Sequence, residues 1–408
     1  MDKTRSTQPL LSIAIPTRNR VAYAISALQS ILEIPDPRLE LVVQDNSDSR
    51  ELESYVRENV KDSRLRYQYI SQPLNTVGNF NAAVELTTGE YVSLIGDDDG
   101  VNPEIMEAAA WAKSQNLDSL SIRHTAHYLW PGTGLSSTLF SKVVGGTLSI
   151  STFRAKIIEA DMEKEMRGLL RNGGLYYLQF NLPKAYHGIA RRQCLETVKE
   201  KTGNYFGGLS ADIFISLAMA CVAKRVAVLE YPLTIPGHCR VAENTHHVKQ
   251  AHLRPLEEAP HFNNRGEYHW CELVPRVFIG ESFWVDSGIA ALRAMGREDL
   301  VRELNLPKLA AHCIGRYRGL AEPVLRTMFN GLQQTEKSLP AGAIQFVWGL
   351  FTGPGAKLAR RVWNRVLRLV GIRYYRQISG IENMSECTRA LTHYLEENGH
   401  SFSDCVRR

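Results

Sequence analysis

The chain has 408 residues, 44% of them hydrophobic, and a formal net charge of +5. That length holds a large catalytic domain and a second domain, while the modest charge, gathered late rather than interleaved with aromatics, argues against a nucleic-acid partner. Seven irregularly spaced cysteines argue for reduced thiols over a disulfide framework. The polar stretch 1–9 lacks the apolar core of a signal peptide, and no apolar run reaches the ~18 residues that span a bilayer, so the expected location is the cytoplasm.

In chain order, Leu10 to Pro16 predicts a compact strand that ends in Pro16-Thr17-Arg18-Asn19-Arg20. A helix follows, with Ala24, Ile25, Leu28, Ile31 and Leu32 on one face. Leu39 to Asp45 predicts a second strand, Glu51 to Val60 a polar helix, and Leu65 to Ile70 a third strand. Asn79 to Leu86 predicts another helix, and Tyr91 to Ile95 a short buried strand. This alternation implies an α/β fold with a mainly parallel sheet and helices on both faces. Ligands of such sheets bind beyond the C-terminal strand ends, where Thr17, Asp45 and Asp97-Asp98-Asp99 all fall.

The aspartate triplet carries the most chemistry. Three adjacent carboxylates repel one another, and a cation offsets that repulsion. Hard oxygen ligands suit Mg²⁺ or Mn²⁺, which commonly bridge to substrate phosphates. Without a cation the triplet is a solvated acidic turn.

These pieces together resemble family 2 glycosyltransferases of the GT-A fold, similar to enzymes of bacterial surface-polysaccharide synthesis. The matching residues are Ser12 to Arg20, Val42 to Ser47, Asn75 to Asn81, Gly89 to Tyr91 and Gly96 to Asp99. The match is convincing over about 10–105 and thinner to about 245. The resemblance implies that Pro16, Thr17 and Arg18 line the base and phosphates of a nucleotide-diphosphate sugar, UDP-linked in the first instance. It implies that Asp45 reads the nucleoside, with an ordinary loop or cap residue as the alternative. Asn75 and Gly78 would shape the loop near the donor, or Gly78 would only relieve a tight turn. For the metal, Asp97 and Asp99 have the Asp-x-Asp spacing that, in a strand, turns both carboxylates to one side. Many relatives instead carry the pair where Asp98 and Asp99 stand; the resemblance also implies that Asp98 holds the ribose while Asp97 assists. Asp99 belongs to both alignments.

An inverting transfer also needs a base for the acceptor hydroxyl. The resemblance places it at a helix start downstream, where Gly207-Gly208-Leu209-Ser210-Ala211-Asp212 fits. Ala211 stands where relatives carry an acid, so Asp212 is the carboxylate there, with Glu230 and Glu243 as the next candidates. An aspartate favoured by the helix dipole is the alternative. The long separation from Asp99 implies an insertion over Ala126 to Leu175 that contacts the acceptor. Glu230 to His238 predicts a strand running into a loop, with His238 for the metal or diphosphate and Arg240 as a charge clamp. Cys239, His246, His247 and His252 fit no standard zinc spacing.

The expected organisation is a polar tail over 1–9, a GT-A domain over 10–250 and a helical domain over 251–408. Within 342–376 lie Lys357, Arg360, Arg361, Arg365, Arg368, Arg373 and Arg376, and no acid. Apolar Leu358, Ala359, Val362, Trp363, Val366, Leu367 and Val370 share one helical face, with Phe346, Trp348, Leu350 and Phe351 just before. Such a segment either docks on an anionic membrane or packs on its own domain. The expected function is metal-dependent inverting glycosyl transfer to a glycan or lipid-linked acceptor, in the cytoplasm or on the inner face of its membrane. The competing reading is a non-catalytic scaffold subunit of a glycan-assembly complex. A nucleotidyltransferase would carry a glycine-rich basic loop after the first strand, which is absent here.

Overall fold

A computed structural model describes residues 8–133, 144–240, 256, 262, 264–351 and 375–407. Strands β1 (Leu11–Thr17), β2 (Leu39–Asp45), β3 (Leu65–Tyr69) and β4 (Tyr91–Leu94) form a parallel half-sheet in the order β3-β2-β1-β4. Helices α1 (Val21–Leu32), α2 (Glu51–Asn59) and α3 (Thr76–Leu86) connect them. Next come β5 (Gly100–Val101), α4 (Ile105–Ser114), β6 (Ser119–Ile122), β7 (Ala126–Leu129), β8 (Thr147–Ser151), β9 (Ile157–Glu159) and α5 (Met162–Arg171). Then follow β10 (Gly188–Arg191), α6 (Arg192–Thr202), α7 (Ala211–Ala220), β11 (Val226–Leu229), β12 (Thr234–Ile235) and β13 (Gly237–His238). The main sheet continues from β4 through β10, β6 and β11 to β9, with β10 and β9 antiparallel to their neighbours. The expected mixed α/β class with helices on both faces therefore holds.

Strand alternation builds the two faces. Leu11, Ile13, Ile15, Leu39, Leu41 and Val43 pack on one side with Ala24, Leu28 and Ile31 of α1. Ala14, Val42, Val92 and Leu94 point to the other, against Val84 of α3 and Leu217 of α7. Asn75 caps α3 by accepting from the Gly78 N–H at 2.8 Å, and Asp161 caps α5 in the same way through Lys164. Each such cap stabilises its helix by ~1 kcal/mol. The cap starts α3 at Thr76, three residues before the apolar run that announced it.

The helical run expected after 250 is present as α8 (Gly280–Ala294), α9 (Glu298–Val301), α10 (Leu306–Arg316), α11 (Ala321–Gln334) and α12 (339–351). It does not build a separate core. Ile289, Leu292, Leu309 and Val324 join the cluster that contains α7 and the sheet. The last described stretch adds a strand to the expected helices. Residues Tyr375–Ser379 form β14, antiparallel to β8 in a second sheet ordered β13-β7-β8-β14. Helices α13 (Met384–Glu397) and α14 (Phe402–Arg407) then place Met384, Leu391 and Phe402 in the core beside α1 and α4. The chain thus returns across the boundary expected near 250. Glu230 to His238 is not one strand but the short pieces β12 and β13, because Pro232 and Pro236 interrupt it. Glu243, His246, His247, His252 and the amphipathic segment from Lys357 to Val370 lie outside the described residues.

Candidate active site

The ends of β1, β2 and β4 converge as expected, and Thr17 makes the link. Its Oγ1 donates to Asp97 Oδ2 at 2.6 Å, while its carbonyl accepts from Asn46 N–H at 3.0 Å and Asn79 Nδ2 at 3.1 Å. Pro16 is buried within β1 beside Gln44 of β2. Asp45 is fully buried, with Oδ1 accepting from Ser47 N–H at 2.8 Å and Oδ2 from the Tyr67 hydroxyl at 2.6 Å. Arg18 ties loops together, reaching the Leu74 carbonyl at 3.0 Å and Asp48 Oδ1 at 3.2 Å. Gly78 sits in the first turn of α3 without left-handed backbone, and an added Cβ would meet nothing closer than 3.5 Å. The tight-turn reading of Gly78 is therefore corrected.

The aspartates lie in the turn after β4, not in the strand, so alternate residues no longer share a face. The expected facing pair of Asp97 and Asp99 is replaced by Asp97 and Asp98, which share Arg20. Arg20 Nη1 lies 2.9 Å from Asp97 Oδ1, an ion pair short of hydrogen-bond alignment. Nη2 lies 2.8 Å from Asp98 Oδ1. Asp99 is instead saturated by its own surroundings. Its Oδ1 accepts from the Gly237 N–H at 2.7 Å, and its Oδ2 from the Gly96 N–H at 2.6 Å and Tyr186 at 3.3 Å. His187 Nε2 stands 3.0 Å from the same Oδ2. Burial pushes the Asp99 carboxyl up, but His187 and the two N–H groups outweigh it and hold the pKa at about 2. Asp97 and Asp98 go the other way, raised by burial and by the neighbouring aspartates against the pull of Arg20.

A divalent cation fits this set by charge: three carboxylates face one guanidinium and the His187 imidazole, which leaves the turn net acidic. Asp98 Oδ2 is a buried carboxylate oxygen with no hydrogen-bond partner among the described residues. Those residues include no group of three or more His, Cys, Asp or Glu side chains arranged to enclose an ion alone. The remaining ligands would be phosphate and water oxygens, as Mg²⁺ ordinarily uses.

The structure adds residues that the sequence did not single out. Strand β13 passes so close to the turn that a Cβ on Gly237 would lie 1.8 Å from the Asp98 carbonyl. His238 is exposed on that strand and stacks on His127, with ring centroids 5.7 Å apart. His124 follows at 6.2 Å from His127 and 5.0 Å from His187. Burial keeps His124 and His127 neutral, at about 2 and about 4. His127 comes from the expected insertion.

Asp212 lies in the first turn of α7. Ser210 Oγ donates to its Oδ1, and the buried Tyr177 hydroxyl to its Oδ2. Ser287 of α8 fixes the loop by accepting from Leu209 and Ser210 N–H at 2.9 and 2.8 Å. Tyr186 links the two acidic groups. Its hydroxyl donates to Asp99, and burial, the triplet and Asp212 all push its pKa up. Lys184 is buried nearby, and burial draws its amine down to about 8 despite Asp212. The segment 177–187 thus contacts both the triplet and Asp212.

Residues 12–124 match the family described as Glycosyl transferase family 2. A protein of Escherichia coli K12 named for colanic acid biosynthesis, the glycosyl transferase WcaA, is 31% identical over 109 residues, 26% of this chain and 39% of that protein. A Campylobacter jejuni protein named GalNAc(5)-diNAcBac-PP-undecaprenol beta-1,3-glucosyltransferase is 35% identical over 95 residues, 22% of this chain and 30% of that protein. The match therefore spans little more than a third of these curated relatives. Among solved structures, S. aureus TarS 1-349 in complex with UDP-GlcNAc is 17% identical, covers 81% of this chain and 93% of its own, and has a TM-score of 0.44. The mannosyltransferase PcManGT of Pyrobaculum calidifontis, in complex with GDP-Man and Mn²⁺, is 16% identical with a TM-score of 0.38, covering 84% of this chain and 88% of its own.

Proposed function

Through residues 12–124 the chain belongs to glycosyl transferase family 2, and from that premise we propose that it moves a sugar from a nucleotide-diphosphate donor, UDP-linked in the first instance, to a glycan or lipid-linked acceptor in surface-polysaccharide synthesis. The observation that carries this reading is the pairing of the acidic turn with a separate carboxylate, Asp212, by one segment: the Tyr186 hydroxyl donates to Asp99 and the Tyr177 hydroxyl to Asp212. Thr17, Asp45 and the loop capped by Asn75 line the nucleotide side. Asp98 and Asp97 would hold the ion, with His238 of β13 for the diphosphate, while Asp99 braces the turn. A bound Mg²⁺ or Mn²⁺ would supply positive charge to the departing diphosphate. Asp212 accepts the acceptor proton from the opposite side, and Ser210 and Tyr177 hold its carboxylate in place. In-line attack inverts the anomeric centre, so an α-linked donor gives a β-glycoside. The name of the Campylobacter relative specifies β-1,3-glucosyl transfer to a glycan carried on PP-undecaprenol, the acceptor class favoured here.

Mass spectrometry of donor hydrolysis across a nucleotide-sugar panel, with and without Mn²⁺, tests the reading. Release of nucleotide diphosphate from one donor class, dependent on Mn²⁺, is expected. No hydrolysis of any donor, with nucleotide still bound, would favour the scaffold.

A membrane surface belongs to the same proposal. No helix among the described residues is long and apolar enough to cross a bilayer. Helix α12 packs Phe346 on the core yet leaves Ile344, Val347, Trp348 and Phe351 exposed by 50–73%, at the i, i+3, i+4, i+7 spacing of one face. The seven basic residues of 357–376 follow directly. This charge selects an anionic bilayer as the occupant, at ~1 kcal/mol per basic residue near the surface. The protein should sediment with anionic vesicles and not with neutral ones. Phe351→Asp, or Arg361, Arg365 and Arg368 together replaced by Glu, should release it without loss of donor hydrolysis. Unchanged sedimentation of both variants would remove the membrane from the proposal.

A further inference from the structure

The acidic turn already contains a cation of its own. Arg20 precedes α1, and its side chain turns back from the helix toward the turn after β4. It bridges Asp97 and Asp98 at 2.9 and 2.8 Å. The same Nη2 donates to Cys239 Sγ at 2.8 Å, which ties in the residue after His238. The guanidinium also lies 5.7 Å from the centre of the Tyr23 ring. With the side chain 20% exposed, solvent screens these contacts only in part. A guanidinium does not lose its proton in a protein, so the charge is permanent.

Arg20 occupies one oxygen of each aspartate that it touches. The other oxygen of Asp97 belongs to Thr17, and both oxygens of Asp99 are engaged by backbone N–H groups. Asp98 Oδ2 is what remains for a metal ion. One carboxylate oxygen is a poor site for a hard cation, which needs six oxygen ligands. A nucleotide diphosphate supplies the missing oxygens and more negative charge. We propose that Arg20 is a positioning residue that withholds the aspartates from a divalent ion until the donor diphosphate arrives, so that metal and donor load together. This rests on the nucleotide-sugar reading above. A purely structural staple would affect stability and leave ion affinity unchanged.

The test is a Mn²⁺ titration of the full chain, followed by electron paramagnetic resonance of the free ion, with and without UDP. The parent should bind Mn²⁺ weakly alone and at least ~10-fold more tightly with UDP. Arg20→Met removes the charge at similar length and should raise nucleotide-free Mn²⁺ affinity at least ~10-fold. Arg20→Lys keeps a point charge that cannot fork across both carboxylates, and should give a smaller rise of ~3-fold; it decides the matter if the Met variant does not fold. Equal affinity in the parent and in the folded variants, or tight nucleotide-free binding by the parent, would overturn the proposal. If Arg20→Met raises affinity while UDP leaves the parent unchanged, Arg20 still limits the ion, and the donor reading is what fails.

Discussion

Replacing Asp212 by Asn is expected to lower turnover by ~10²–10⁴ while donor binding stays at the parent level. The substitution keeps the shape of the side chain and its place in the first turn of α7. It removes the lone-pair basicity that an acceptor hydroxyl needs, because that hydroxyl must lose its proton as it attacks. Donor affinity should hold because the proposed nucleotide contacts come from other elements, at the ends of β1, β2 and β4. Tyr177 supplies an internal control. Its hydroxyl donates to Asp212 Oδ2, and burial together with the Asp212 charge keeps the phenol protonated. Tyr177→Phe should therefore leave the base in place but less firmly held, with a smaller fall in turnover than Asp212→Asn and no change in donor affinity. Near-normal turnover of the Asn variant, or a product that keeps the donor's anomeric configuration, would show that Asp212 is not the base. Glu230 would then be the next carboxylate to replace.

The first hundred residues were legible because each element there is local. Compact apolar runs mark β1 and β2, and the aspartates directly follow the run that becomes β4. The site that these strands carry was only half legible. Tyr177, Tyr186 and His187 come from a stretch without periodicity, and they reach Asp212 and Asp99 through contacts between distant parts of the chain. Nothing in their spacing announces that convergence. A continued strand would pair Asp97 with Asp99, whereas β4 ends at Leu94 and the following turn brings Asp97 and Asp98 together on Arg20. Arg20 did leave a local trace. A cation at the N-terminal end of α1 opposes the helix dipole at a cost of ~0.3–1 kcal/mol, and α1 has no side-chain cap to compensate. A residue placed against its local preference points to a partner elsewhere, here two aspartates about eighty positions away. The closing strand β14 was hidden for the opposite reason. Tyr375 to Ser379 is too short and too polar to show a pattern, and it is fixed by its ladder with β8.

Asp98→Asn should separate stability from function in opposite directions. In the folded chain Asp98 is buried beside Asp97 and Asp99, and burial and repulsion raise its pKa against the pull of Arg20. Replacing the charge with an amide relieves that repulsion. Arg20 retains Asp97, so no buried cation is left without a partner. The melting temperature in the absence of ligand should accordingly stay level or rise. Ligand binding should fall sharply, because the partnerless Asp98 Oδ2 is the oxygen best placed for a divalent ion. Truncating one member of a buried charged contact costs ~2–5 kcal/mol, which corresponds to roughly 30-fold or more in UDP affinity measured with Mn²⁺ present. In the parent, EDTA should stop transfer and added Mn²⁺ or Mg²⁺ should restore it. Asp99→Asn should behave differently, since its carboxylate holds the Gly96 and Gly237 N–H groups and His187. Its loss should lower the melting temperature as well as activity. Calorimetric titration of UDP and Mn²⁺, paired with thermal melts, distinguishes the two roles. If Asp98→Asn binds UDP and Mn²⁺ as tightly as the parent, or if transfer proceeds at full rate in EDTA, the ion is not held by this turn.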